Sequence, residues 1–131
     1  MELREVGRVE SELLDPASAP KQGDEGAPSA WLAFDPDVAE CLDGIEVGDW
    51  LELLTWLDRA DRDVQRVHPR GDPRREPQGV FATRSPDRPN PIGLHRVRVL
   101  AVDGLRLKVS DLEAIDGTPI VDIKPVLGPA R

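Results

Sequence analysis

Residues 94–115, LHRVRVLAVDGLRLKVSDLEAI, decide the fold class. Leu94, Arg96 and Arg98 alternate with His95, Val97 and Val99, so one face of the segment is apolar and the other charged, as in a half-buried strand. Asp103-Gly104 then supplies two residues that tolerate positive φ, the requirement of a type I′ hairpin turn. Beyond it Leu105, Leu107 and Val109 alternate with Arg106, Lys108 and Ser110. The pattern is a β-hairpin.

Working outward, PIVDIKPVL (119–127) reads as a last short strand and GVFATR (79–84) as a strand ending at the loop SPDRPNP. DWLELLTWL (49–57) is apolar and leucine-rich. Periodicity cannot separate strand from helix there, but Gly48 before it and the polar stretch after it favour a buried strand. SAWLAF (29–34) is a further strand, and residues 3–10, LREVGRVE, a weakly alternating first one. DPDVAECL (35–42) reads as one or two helical turns capped by Asp35 with Pro36 at N1. Thirteen prolines and eleven glycines leave few windows for longer helices. Residues 15–30, DPASAPKQGDEGAPSA, form a long loop of the kind that is functional or disordered in a compact domain. About six short strands with long connections fit a mainly β fold, a closed or nearly closed antiparallel barrel, in one domain over residues 1–131.

Composition narrows the function classes. A single cysteine, Cys41, rules out an internal disulfide and CxxC metal clusters. His68 and His95 show no metal-ligand spacing and read as surface or strand residues; no metal is expected. No stretch approaches the roughly 20 apolar residues of a membrane span, and the charged start, MELREVGRVE, lacks the apolar core of a signal peptide. A soluble cytoplasmic protein with no membrane partner is expected. The net charge of −8 argues against nucleic acid, yet it is unevenly placed. Residues 1–58 hold three Lys/Arg against fifteen Asp/Glu, and residues 59–98 hold ten Arg against five acids. That basic segment is either a local site for an anionic ligand or a solvated face of intrachain ion pairs, as the alternation DRADRDVQR (58–66) suggests.

Neither GxGxxG after a strand nor GxxxxGK[ST] occurs. The segment ATRSPDRPNPIG (82–93) contains Pro86, Pro89 and Pro91, which fix φ and remove backbone donors. It is a stiff loop that holds Thr83, Arg84, Ser85, Arg88 and Asn90 in set directions. That suits either a polar cofactor or a purely structural staple.

The strings themselves go further. GVFATRSPDRPNPIGL (79–94) resembles the signature of the TrmO/TsaA-like family, β-barrel methyltransferases that use S-adenosylmethionine (SAM). DGTPIVDIKPVL (116–127) is similar to the family's DGTPVLDIKPYL, VGRVES (6–11) to IGxIxSP, and APKQGD (19–24) falls where the family has PRQPG. The resemblance covers nearly the whole chain. It implies a TsaA-like barrel, SAM as cofactor, a homodimer, and methylation of N6 of threonylcarbamoyladenosine in tRNA. It also implies cofactor-binding roles for Pro20, Lys21, Gln22, Arg84, Leu94, Asp116, Gly117, Thr118 and Pro119. Arg84 would fork onto the SAM carboxylate, Asp116 would accept from a ribose hydroxyl or the ammonium, and Leu94 would pack on the adenine. Arg88 and Asn90 are candidates for acceptor binding.

The chain departs from the family at GDWLELLTWLD (48–58), where tRNA-acting members read roughly FSHLWLIFxFH. Trp50 and Asp58 stand at the histidine positions, which makes them the candidate reaction-site residues, with Asp58 as a general base. The alternatives are an exposed aspartate and a core tryptophan. VHPRGD (67–72) matches VRPPR loosely, and the C-terminal extension of some bacterial members is not present. A same-fold methyltransferase acting on a small molecule and a non-catalytic SAM-binding module are the alternative functions.

Overall fold

The computed structural model describes residues 1–15, 17, 19–20 and 26–128. Its eight strands are β1 (Gly7–Glu10), β2 (Ala30–Phe34), β3 (Trp50–Trp56), β4 (Arg66–Val67), β5 (Gln78–Gly79), β6 (Ile92–Asp103), β7 (Arg106–Val109) and β8 (Pro119–Pro125). Six of them close into a barrel in the order β1-β2-β7-β6-β3-β8, every pairing antiparallel, while β4 and β5 form a separate two-stranded ribbon. Closure removes the unpaired edges that an open sheet would expose.

Period-2 patterning builds the barrel. In β6, Gly93, His95, Val97 and Val99 point inward while Ile92, Leu94, Arg96 and Arg98 point out. β3 buries Leu51, Leu53 and Thr55. With Val9, Leu32, Leu107, Val109, Leu112 and Ile120 these fill the interior, as side chains must in a barrel this narrow. The outer charges pair across strands, Arg96 with Glu52 at 2.7 Å and Arg106 with Glu10 at 2.6 Å. At Gly7 an added Cβ would run into the Ala33 carbonyl, so glycine is what lets β1 approach β2.

Several local expectations are corrected. The hairpin turn is Gly104-Leu105, because Asp103 pairs with Arg106. Gly104 has φ 58, and Asp103 is not among the positive-φ residues, so the turn has the positive φ at its first central position that type II′ requires, not the paired positive φ of type I′. β6 pairs with β7 from Val99 onward, across a bulge between Val99 and Ala101; its first seven residues pair with β3. Segment 79–84 is not a strand: only Gln78–Gly79 is extended, and Val80–Ala82 forms a 3-10 turn whose Val80 carbonyl accepts from Arg88. Residues Pro36–Leu42 do coil, as a 3-10 helix with Pro36 at its start, but the Asp35 side chain makes no cap bond. The first strand begins at Gly7, four residues later than its weak alternation suggests. Among the described residues no helix is long and apolar enough to cross a membrane.

Candidate functional site

Two motif-bearing segments meet at one end of the barrel. The loop 83–90 is organised by its own short side chains. Thr83 Oγ1 donates to the Val80 carbonyl (3.0 Å) and accepts from the Ser85 amide (3.1 Å), and Ser85 Oγ accepts from the Asp87 amide (3.2 Å). Arg88 locks this arrangement. Its guanidinium donates to the carbonyls of Ser85 (2.9 Å), Thr83 (2.6 Å) and Val80. From outside, the Asp61 amide donates to Asp87 (2.8 Å), and Arg62 donates to the Pro89 carbonyl (2.7 Å) and to Asn90 Oδ1 (3.1 Å).

The DGTP turn is held just as firmly. Gly117 has φ 82 and the Thr118 amide returns to the Ile115 carbonyl (3.2 Å), the pattern of a type II turn with glycine at its third position. The Gly117 amide donates to the Val9 carbonyl (2.7 Å), and Asp116 Oδ1 accepts from the Ser11 amide (3.0 Å), which ties the turn to β1 and the chain after it.

Between these parts lies a cavity of about 1400 Å3. Of the residues singled out in the sequence, it gathers Pro20, Asp58, Arg84, Arg88, Leu94 and Thr118. Arg84 and Asp58 are exposed, and neither makes a hydrogen bond or ion pair among the described residues. Leu94 offers an apolar surface, 45% exposed. Arg59, Arg70 and Arg75 extend the wall, so the basic segment does converge on a concave surface. Part of its charge is nevertheless spent internally. Arg59 donates to the Leu14 carbonyl, Arg66 to the Pro77 carbonyl, and Arg74 pairs with Asp72 at 3.0 Å. The side-chain hydrogen bond from Arg74 holds the Asp72 carboxyl below its ordinary value.

Other expected site residues lie elsewhere. Trp50 stands at the opposite end of β3 from the cavity and lines a separate pocket of about 270 Å3 with Gly48, Asp49 and Pro125. Six strand steps separate it from Trp56, about 20 Å, so Trp50 and Asp58 do not form one reaction centre. Trp56 is occupied by Arg62, whose guanidinium sits 5.1 Å from its ring. Arg88 borders the cavity with its Nε and Nη2 donors committed to carbonyls of its own loop. Asn90 is exposed and bound to Arg62, outside the cavity lining. Asp116, Gly117 and Pro119 build the turn without lining the cavity. Lys21 and Gln22 lie outside the described residues.

Residues 8–129 match the family model described as the tRNA-methyltransferase O N-terminal domain. The chain belongs to the TrmO family. It is 46% identical over 125 residues to a probable S-adenosyl-L-methionine-binding protein of Archaeoglobus fulgidus, a match covering 95% of this chain and 34% of that protein. It is 42% identical to a protein of the same description from Methanothermobacter thermautotrophicus, over 94% of this chain and 88% of the other. A crystal structure of TrmO shares the fold at a TM-score of 0.78 and 31% identity, over 97% of this chain and 57% of that one. The chain thus spans about a third of the first relative's length and just over half of the solved TrmO chain.

A set of residues in this TrmO-family barrel escapes the motif reading altogether. Thr55 Oγ1 and His95 Nε2 lie 2.7 Å apart, and His95 Nδ1 bonds to Glu113 Oε1. Thr55 is fully buried and His95 is 5% exposed, while His95 and Glu113 both line the cavity. One signal was available: His95 shares the inward face with Val97 and Val99, where a histidine needs partners. The glycine of PNPIG explains how the pair fits. A Cβ at Gly93 would collide with Thr55 Oγ1 and approach His95 Nε2 to 2.7 Å.

Proposed function

We propose that the cavity binds SAM and that the chain transfers its methyl group to N6 of threonylcarbamoyladenosine in tRNA. The observation that carries the reading is convergence. The free guanidinium of Arg84, the apolar face of Leu94, Thr118 of the DGTP turn and Pro20 come from four separated stretches and border one cavity. Their chemistry fits the ligand: a fork for a carboxylate and an apolar surface for adenine. The relatives' description as probable SAM-binding proteins supports the same donor.

SAM, when bound, supplies an electrophilic methyl on a sulfonium centre. The chain's contribution is to hold donor and acceptor in line and to accept the acceptor's proton. Arg84 anchors the amino-acid end, Leu94 shelters the base, and the stapled loop 83–88 keeps both at a fixed spacing. Asp58, unengaged at the rim, is placed to take a proton from an acceptor entering there. The arginines Arg59, Arg70 and Arg75 on the wall of the same cavity favour a phosphate-bearing acceptor, and hence RNA over a neutral metabolite. A small-molecule acceptor is the second reading, favoured by the net charge of −8. We further propose a cytoplasmic homodimer; light scattering at the mass of a single 14.4 kDa chain would contradict the dimer.

Arg84→Ala is expected to weaken SAM binding at least about tenfold, as loss of a charge-assisted pair should, while leaving the melting temperature unchanged because the side chain supports nothing else. Titration calorimetry that shows equal affinity would remove Arg84 from the site. For the acceptor, methyl-labelled SAM is incubated with the protein and either total tRNA or a metabolite extract. Label in the tRNA supports the reading, and label confined to the extract overturns it in favour of the small molecule.

A further inference from the structure

The Thr55–His95–Glu113 chain serves none of the roles assigned so far. Its hydrogen positions follow from elimination. Thr55 is sealed in the barrel wall, and its hydroxyl meets His95 Nε2. If Nε2 carried a proton, two donors would face one another or the buried hydroxyl proton would be left without an acceptor, which is costly in an apolar interior. The hydroxyl therefore donates to Nε2, the ring is neutral, and Nδ1–H donates to Glu113 Oε1. Glu113 is left an anion. One oxygen is fixed by the imidazole and the carboxylate reaches the cavity, with the side chain 16% exposed.

The carboxylate is also unneutralised. Arg59, Arg70, Arg75, Arg84 and Arg88 border the same cavity, yet among the described residues no arginine or lysine pairs with Glu113. A largely desolvated carboxylate that the protein does not itself pair is complementary to a ligand cation. Held by His95 and reaching the cavity, the carboxylate contributes a fixed charge there.

We propose that Glu113, held in place by Thr55 and His95, receives the positive charge of the bound donor, its ammonium or its sulfonium. The proposal rests on the reading that SAM occupies this cavity. It makes the site bipolar, with Arg84 for the ligand's carboxylate and Glu113 for its cation. Glu113 is then the residue that distinguishes SAM from uncharged adenosine thioethers. His95 and Thr55 act as positioning residues through it.

The test is calorimetric titration of SAM, S-adenosylhomocysteine (no sulfonium charge) and 5′-methylthioadenosine (neither cation) into the wild type, Glu113→Gln, His95→Asn and His95→Leu. Glu113→Gln keeps size and an acceptor for His95. It is expected to weaken SAM at least about tenfold and leave 5′-methylthioadenosine unchanged. S-adenosylhomocysteine names the partner: an equal loss assigns the ammonium, and no loss the sulfonium. His95→Asn, which retains an N–H near the Nδ1 position, should bind SAM closer to the wild type than His95→Leu does. Unchanged SAM affinity in Glu113→Gln, or an equal loss for all three ligands, overturns the proposal. A wild type that fails to bind SAM sinks the cofactor reading beneath it, which is a different result from a wild type that binds and a variant that binds equally.

Discussion

Replacing Arg88 by Met is expected to lower the melting temperature by roughly 10 °C and to weaken SAM binding by about two orders of magnitude. Met fills similar volume but has no donor. The carbonyls of Val80, Thr83 and Ser85 then lose a shared cationic partner in a half-buried setting. Hydrogen bonds to charged groups contribute about 1.5–3 kcal/mol each, and water recovers part of three such bonds, so a net loss of about 3 kcal/mol follows. For a domain of this length that is a shift of roughly 10 °C. Affinity falls further than in Arg84→Ala because the loop carrying Arg84 must be re-ordered at each binding event. The two arginines are four residues apart and should separate cleanly: Arg84 alters affinity alone, Arg88 both affinity and stability. Calorimetry showing Arg88→Met melting within about 2 °C of the wild type would mean that the loop does not depend on that staple.

Gly93→Ala is expected to destabilise by a similar amount, about 3 kcal/mol. The substitution raises no backbone problem, since Gly93 is not among the positive-φ residues. Its cost is steric. The new methyl group would overlap Thr55 Oγ1 and sit 2.7 Å from His95 Nε2. Both neighbours are buried, at 0% and 5% exposure, so neither can swing into solvent. Overpacking of this kind costs about 1–3 kcal/mol, and separating Thr55 from His95 adds about 1 kcal/mol. Thr55→Ala removes the nearer obstacle, so the double variant Gly93→Ala/Thr55→Ala should lose less than the sum of the two single changes. Urea unfolding of all four proteins checks this, and strict additivity would show that the clash is relieved elsewhere.

How much of this was legible in the sequence depended on whether a local rule or a distant partner decided each element. The strands β2, β3, β6, β7 and β8 were legible because alternation or an apolar run survives in the chain itself. The turn at Gly104-Leu105 was displaced by one residue, since both Asp103-Gly104 and Gly104-Leu105 contain the required glycine and only the register across β6 and β7 selects between them. Segment 79–84 looks extended by composition, yet the demand of Arg88 for the Val80 and Thr83 carbonyls coils it. No local propensity records that demand.

The site shows the same division. The motif strings identify Arg84, Leu94 and Thr118, all of which border the cavity. They could not reveal that Asp116 spends a carboxylate oxygen on the Ser11 amide, nor that Trp50 faces a different pocket. Glu113 drew no notice because its partners, at positions 95 and 55, are remote in sequence. The glycine of PNPIG was legible as a motif letter, and its physical reason, space for the Thr55–His95 pair, appears only in three dimensions.

The most direct test of the cavity as the donor site is amide hydrogen exchange with and without saturating SAM. Slowed exchange is expected in residues 80–88, in 57–60 and around the turn 116–118, with the pocket at Gly48, Trp50 and Val126 unaffected. Protection confined to that second pocket, or no change in the loop carrying Arg84, would contradict the placement of SAM between the stapled loop and the DGTP turn.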